Sequence, residues 1–297
     1  MKETDSLDYL SLRSCNMEDL LMVRTFSIVG GMLVISSIGA RLNKAYETFW
    51  EKFWTILGFF LSLVLIIIYS DTFPHNLIAC GIFSAFGGWS LGPSIGYIGE
   101  RFKWRKYLKD KGVKSKDLNK SSGFWGTTEE KHIVYFFEGD EENYFELKSD
   151  KMRELEDDFK NNVLAIDDDP YNQLWQNVVF QAMISTCSAV FITLLVVYLS
   201  PIDFSFLGLI LFISLWALIV MRLLNYFIFK SPKQMLYQSY AGIVIFVLYL
   251  VYDFDRLEKA NASGDTSWGT AVDIAVALYL DIINLFMEIL TAMAENQ

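Results

Sequence analysis

Four polar side chains interrupt the last apolar stretch of the sequence: Asp273, Asp281, Asn284 and Glu288, in a segment otherwise dominated by Ala, Val, Leu, Ile, Phe and Met. At 100° per residue they fall within about 80° of one another, so a helix would carry them on one face. An ionisable group near the middle of a bilayer costs about 2.5–3.5 kcal/mol on insertion scales, so such a face is expected to point into a helix bundle or a watery cavity. Asp273 and Glu288 are close enough to the span ends to reach the interface instead. Asp281 and Asn284 lack that escape.

A further carboxylate closes the preceding apolar stretch, where Tyr249-Leu250-Val251-Tyr252-Asp253-Phe254-Asp255-Arg256 passes from apolar to charged. Alone, Asp253 reads as a helix-end charge facing headgroups. Beside a second carboxylate it gains chemistry, because two carboxyls brought together in a poor dielectric share a proton. With the proton, a hydrogen bond ties two helices together. Without it, the carboxylates repel and offer oxygens to a hard cation such as Ca²⁺. Asp253 set beside a carboxylate such as Asp281 would make a pH-sensing and metal-ligating pair. Asp255, Asn284, Glu288 and Asp273 are the further groups expected along an ion pathway. A positive latch would come from Arg256, nearest in sequence, or from Arg41 or Arg222.

These residues need helices to hold them in a membrane. Of the 297 residues 53% are hydrophobic and only 20% charged, with mean hydropathy +0.30; soluble domains carry roughly 25% charged residues. No Lys or Arg occurs between Phe53 and Glu100 or between Asn161 and Met221. Only helices or closed barrels satisfy every backbone amide in hydrocarbon, and the alternation of barrel strands is missing here. Seven spans are expected, roughly Thr25 to Ala40, Trp54 to Tyr69, Leu77 to Ile98, Val178 to Leu199, Phe204 to Phe227, Leu236 to Tyr252 and Thr270 to Met293. Turn residues at Ser70 to Pro74, Ser200 to Asp203 and Ser231-Pro232 make consecutive helices antiparallel neighbours.

The connection from Arg101 to Asn177 is polar and far longer than the usual ~2–8 residues between bundle helices, so it should form a small soluble α+β insert. Residues 1–100 and 178–297 would supply helices 1–3 and 4–7. Arg101, Lys103, Arg105, Lys106, Lys109, Lys111, Lys114, Lys116 and Lys120 form a basic run that suits anionic headgroups. His132 to Phe137 and Tyr144 to Leu147 read as a hairpin around a turn containing Glu141, and Asp150 to Leu164 as a helix with Met152, Leu155, Phe159 and Val163 on one face. Positive-inside counting, with Arg41, Lys44, Lys52, Lys230 and Lys233 agreeing and Lys2, Arg13 and Arg24 opposing, puts the insert in the cytoplasm and the N-terminus outside. The N-terminal segment shows no apolar core of a cleaved signal peptide, so the first span is expected to direct insertion.

Glycines concentrate in the third span, where Gly87, Gly88, Gly92, Gly96 and Gly99 let backbones approach closely. Gly92-Pro93 either serves that packing or breaks the helix and exposes carbonyls to a cavity.

Leu278-Tyr279-Leu280-Asp281-Ile282-Ile283-Asn284-Leu285-Phe286 closely resembles the signature of the transmembrane Bax inhibitor motif family, the relatives of Bax inhibitor-1. Tyr252-Asp253-Phe254-Asp255 resembles that family's Tyr-Asp-Thr-Gln in the sixth helix, and Ser90-Leu91-Gly92-Pro93 its Leu-Gly-Pro in the third. The resemblance implies an all-α polytopic membrane protein with a central seventh helix among seven. It also implies a Ca²⁺ leak controlled by aspartates at positions 253 and 281, and in eukaryotes an association with suppression of cell death. Three departures stand out: Phe254-Asp255 replaces Thr-Gln, Phe86-Gly87-Gly88 stands where many relatives have an acidic residue, and the large insert is unusual.

A net charge of −10 argues against nucleic acid as a partner. Cys15, Cys80 and Cys187 have no metal-site spacing, and no HExxH, GxSxG or phosphate loop occurs. The expectation is thus a non-enzymatic, pH-sensitive cation leak in a lipid bilayer, with Ca²⁺ as cargo and no cofactor. The membrane would be the plasma membrane of a prokaryote or an internal one, such as the endoplasmic reticulum, of a eukaryote. The alternative is a membrane-anchored regulatory protein that meets a protein partner through residues 101–177.

Overall fold

The computed structural model describes residues 20–118, 132–140, 142–166, 169–229 and 231–296. Lys2, Arg13, Cys15, Lys120, Glu141 and Lys230, named above, lie outside these residues. The chain divides into two compact units, residues 1–96 with 180–297, and Tyr97–Val179.

Among the described residues seven helices are long and apolar enough to cross a membrane. They are α1 (Leu20–Leu42), α2 (Phe49–Tyr69), α3 (His75–Asp110), α5 (Pro170–Leu199), α6 (Leu207–Leu224, continued by a π-helical turn Asn225–Phe229), α7 (Pro232–Ala262) and α8 (Trp268–Asn296). All exceed the spans drawn from hydropathy, because polar end turns are helical too. Local signals set the starts. Thr48 accepts from the Glu51 amide at 3.1 Å to cap α2, while the Glu51 carboxylate accepts from the Glu47 amide at 2.9 Å. Ser231 caps α7, with Pro232 in its first turn where a missing N–H costs nothing.

Within the first unit the outer faces of α2, α5 and α6 expose large apolar side chains such as Phe60, Ile67, Phe191, Leu199 and Ile213. Contiguous apolar surface of that extent suits lipid and not water. The start of α2 carries a run of edge-to-face aromatic pairs through Phe49, Trp50, Phe53 and Trp54, all exposed. The most buried helix is α8: Ala271, Val272, Ala275, Leu285, Leu290 and Ala294 are fully enclosed. It lies at the centre, with α1, α3, α6 and α7 each in contact with it.

Small residues bring α1 and α3 together. A Cβ on Gly88 would collide with the Ser36 backbone, and one on Gly92 with the carbonyls of Asn43 and Ala40. The Asn43 amide answers by donating to the Trp89 carbonyl at 2.9 Å. Helix α3 continues through Pro93, so Gly92 serves close packing and the helix is not broken there.

The second unit holds a three-stranded antiparallel sheet, β1 (Val113–Leu118), β2 (His132–Phe137) and β3 (Phe145–Glu146), in the order β1-β2-β3. Val113 stands opposite Phe137, and Tyr135 opposite Phe145. The β1 strand falls in the run read as a basic patch; a polar, lysine-bearing strand is what a sheet edge favours. Helix α4 (Asp150–Phe159) follows, capped by Ser149 and extended by a π-helical turn Lys160–Leu164. Met152, Phe159 and Val163 close a core with Tyr107, Leu108, Val113 and Phe145, and Leu155 is partly buried against it. Lys103 and Asp169 form a 3.1 Å ion pair in this unit.

Candidate functional site

The α7–α8 turn is built by short-range chemistry. Gly264, at φ +76°, ends α7 in a conformation that side chains resist. Asp265 then accepts from the Ser267 amide at 2.8 Å and the Thr270 hydroxyl at 2.6 Å, which holds its carboxyl below the usual range and starts α8. The two helices run antiparallel from that turn and pack along their length.

This packing brings Asp253 of α7 and Asp281 of α8 together. The two residues are 3% and 7% exposed, and their carboxyls lie close enough to act on each other. A hydrogen bond between them exists only while one of the two carries a proton, because two bare carboxylates are both acceptors. The Oδ2 atom of Asp281 is buried with no hydrogen-bond partner. On the other side, Arg256 Nη1 donates to Asp253 Oδ1 at 3.3 Å and Nη2 to Asp273 Oδ2 at 2.6 Å. One guanidinium thus links the buried pair to an exposed carboxylate. Tyr249, one turn before Asp253, is close enough to feel both aspartates.

The remaining residues of the polar stripe part company. Asp273 is exposed and held by Arg256. Asn284 is half-buried. Glu288, expected to be able to reach the interface, is instead 3% exposed and receives Arg222 Nη2 on both carboxylate oxygens. Arg222, considered as a latch for the aspartates, therefore latches Glu288. Asp255 is also buried, but it lies about 200° around α7 from Asp253 and faces elsewhere. Lys259, one turn on, reaches it at 2.5 Å and also binds Asp203 and, at 2.7 Å, Ser205 Oγ. Asp255 consequently does not partner Asp281.

A second polar contact fixes the other side of α8. Ser36 of α1 donates to the Ser84 carbonyl of α3 at 2.8 Å, and its Oγ lies 2.6 Å from the Tyr279 hydroxyl. Gly87 leaves room for that hydroxyl, which an added Cβ would meet at 2.7 Å. The Phe86 ring fills the space beside Gly58 of α2. Ser36, Tyr279 and the Asp203–Lys259–Asp255 chain were not singled out from the sequence. The four-residue spacing of Asp255 and Lys259 was a readable helix-pair signal; nothing local marks Ser36.

Among the described residues no group of three or more His, Cys, Asp or Glu is placed to hold a metal ion. The aspartate pair fits a passing cation better than a resident one, since Ca²⁺ takes six to eight oxygens.

Residues 170–297 match the family model described as inhibitor of apoptosis-promoting Bax1. This part of the chain is similar to the Bax inhibitor-1-like family. Similar proteins include Protein LIFEGUARD 4 of Arabidopsis thaliana, 39% identical over 89 residues, 30% of this chain and 34% of that protein. The BI1-like protein of the same plant is 37% identical over 94 residues, 32% of this chain and 35% of its own length. An uncharacterized protein of Campylobacter jejuni is 36% identical over 88 residues, 30% of this chain and 35% of its own. The chain thus spans about a third of the length of these relatives. The Bax inhibitor match contains α5 to α8, and with them Asp253, Asp281, Glu288 and Arg222. With its seven apolar helices, the chain is a multi-pass integral membrane protein.

Proposed function

We propose that this protein is a pH-sensitive cation leak, with Ca²⁺ as cargo, gated by Asp253 and Asp281. The observation that carries the reading is the close approach of two buried carboxyls on adjacent helices, near enough to share a proton in a hydrogen bond. While the proton is shared, the bond draws α7 to α8. Once it leaves, two like charges face each other in a poor dielectric, which drives the helices apart and offers four oxygens to a hard cation. Arg256 limits that repulsion by holding Asp253 from the side, and Asp273 holds Arg256 in turn. Asn284, one turn beyond Asp281, and Glu288 extend the polar face along α8.

The test is Ca²⁺ uptake into proteoliposomes across a pH series. Wild type should conduct with a pH-dependent rate, and Asp281→Asn and Asp253→Asn should each displace that dependence. A pH profile identical in wild type and both variants rejects the gate.

A second reading is favoured by the second unit, which has its own sheet and its own apolar core. In that reading residues 101–177 dock a protein partner on the cytoplasmic side. Uptake that survives deletion of the insert while cellular function is lost supports it; uptake lost with Asp281 alone supports the leak.

A further inference from the structure

The ion pair between Arg222 and Glu288 is not part of the aspartate gate. Asp281 and Glu288 are seven residues apart on α8, about 10 Å along the axis at 1.5 Å per residue. Glu288 is enclosed, yet the arginine that neutralises it comes from the peripheral helix α6 and is itself 46% exposed. Room for the carboxyl is provided by α7: a Cβ on Gly242 would stand 2.7 Å from its carboxyl carbon. Ser239, one turn before Gly242, is buried with its hydroxyl within reach of Glu288. Glu288 therefore sits in a niche of α7 and α8 with a hydroxyl oxygen beside it, and the guanidinium that neutralises it is tethered from outside.

We propose that Glu288 is a second cation station, and that Arg222 is its tethered plug. The guanidinium occupies the place a free metal cation would take. A side chain anchored on one outer helix can withdraw with small movement of that helix, whereas Arg256 is anchored on α7 beside its own aspartate. The polar face of α8 is then closed at two levels by two arginines from two different helices. This inference rests on the leak reading for its consequence, though not for the occupancy of the niche.

The experiment measures Ca²⁺ uptake into proteoliposomes at one fixed pH, together with labelling of Glu288 by a hydrophobic carbodiimide, read by mass spectrometry with and without Ca²⁺. The proteins are wild type, Arg222→Lys, Arg222→Gln and Arg222→Gln/Glu288→Gln. The plug predicts low Glu288 labelling in wild type and strong labelling in Arg222→Gln that Ca²⁺ suppresses. It also predicts roughly tenfold faster uptake in Arg222→Gln, the scale of one charge-assisted contact. Arg222→Lys should stay near wild type. The double variant should fall back below Arg222→Gln, because the station is gone along with the plug; a bundle merely loosened would leak as fast with both changes. Labelling in Arg222→Gln that Ca²⁺ does not suppress overturns the station. A wild type that leaks with Arg222→Gln no faster overturns the plug and leaves the aspartate gate standing. Silence in both overturns the plug and the leak reading together.

Discussion

The Tyr279 hydroxyl donates to Ser36 Oγ, 2.6 Å away, because the single Ser36 hydrogen is already committed to the Ser84 carbonyl at 2.8 Å. The direction of this chain is fixed by counting protons. It joins three helices and sets the rotation of α8 about its axis. Two residues on, and about 200° around, Asp281 faces α7. Tyr279→Phe removes one buried hydrogen bond without changing the packed ring, and should cost about 1 kcal/mol. Thermal unfolding in detergent should show the midpoint falling while the helical signal persists. An unmoved midpoint would mean the hydroxyl only fills space.

Glycines that touch backbone should behave differently from glycines that touch nothing. Gly88→Ala and Gly92→Ala force α1 from α3 and should destabilise by about 1–3 kcal/mol, the usual cost of overpacking. At Gly30 an added Cβ meets nothing within 4 Å, so Gly30→Ala should be neutral or stabilising by up to about 1 kcal/mol through helix propensity. Equal effects at the three positions would remove the case for an α1–α3 backbone contact.

Lys259 joins two carboxylates of unequal burial. Lys259→Met leaves the enclosed Asp255 without its donor and should destabilise by about 1–3 kcal/mol. Asp203→Asn touches the exposed partner and should lower stability much less than Lys259→Met. Adding Asp255→Asn to Lys259→Met should recover part of the loss. A double variant as unstable as Lys259→Met would show that the lysine acts by packing and not by charge.

Acid should loosen the second unit through Asp158. Hydrogen bonds from Tyr107, Asn162 and Lys111 hold this carboxyl down to about 2. The folded value lies below the unfolded one of about 3.9, so the carboxylate binds fewer protons folded than unfolded. Its contribution is complete above about pH 4 and is lost as pH falls through the folded value. Hydrogen exchange of residues 97–179 should show protection declining between about pH 4 and 2, with a shallower decline in Asp158→Asn. Parallel declines would show that Asp158 does not shape the acid limit.

The spans were legible because hydrocarbon leaves the backbone so few options: a long apolar run without Lys or Arg can be little else than a helix. The Asp253–Asp281 juxtaposition was legible from the cost of burying charge and from the signature around Asp281. What the sequence left open depended on which helix lies beside which. Arg222 was weighed only against the aspartates, since nothing in a one-dimensional pattern says that α6 reaches Glu288. Asp253 and Asp255 are close in sequence, yet helical geometry points them apart. Strand β1 was hidden by its lysines, which suit an edge strand as well as a basic patch.

The aromatic run at the start of α2 gives this helix a stake in the thickness of the host bilayer. Its 21 residues rise about 31 Å, close to the ~30 Å of a typical hydrocarbon core. The 29 to 31 residues of α5, α7 and α8 leave them slack to tilt. Trp50 and Trp54 prefer the headgroup level and resist being drawn inward. A thicker membrane therefore strains α2 first. Hydrophobic mismatch at one short helix would sort this protein toward thinner membranes.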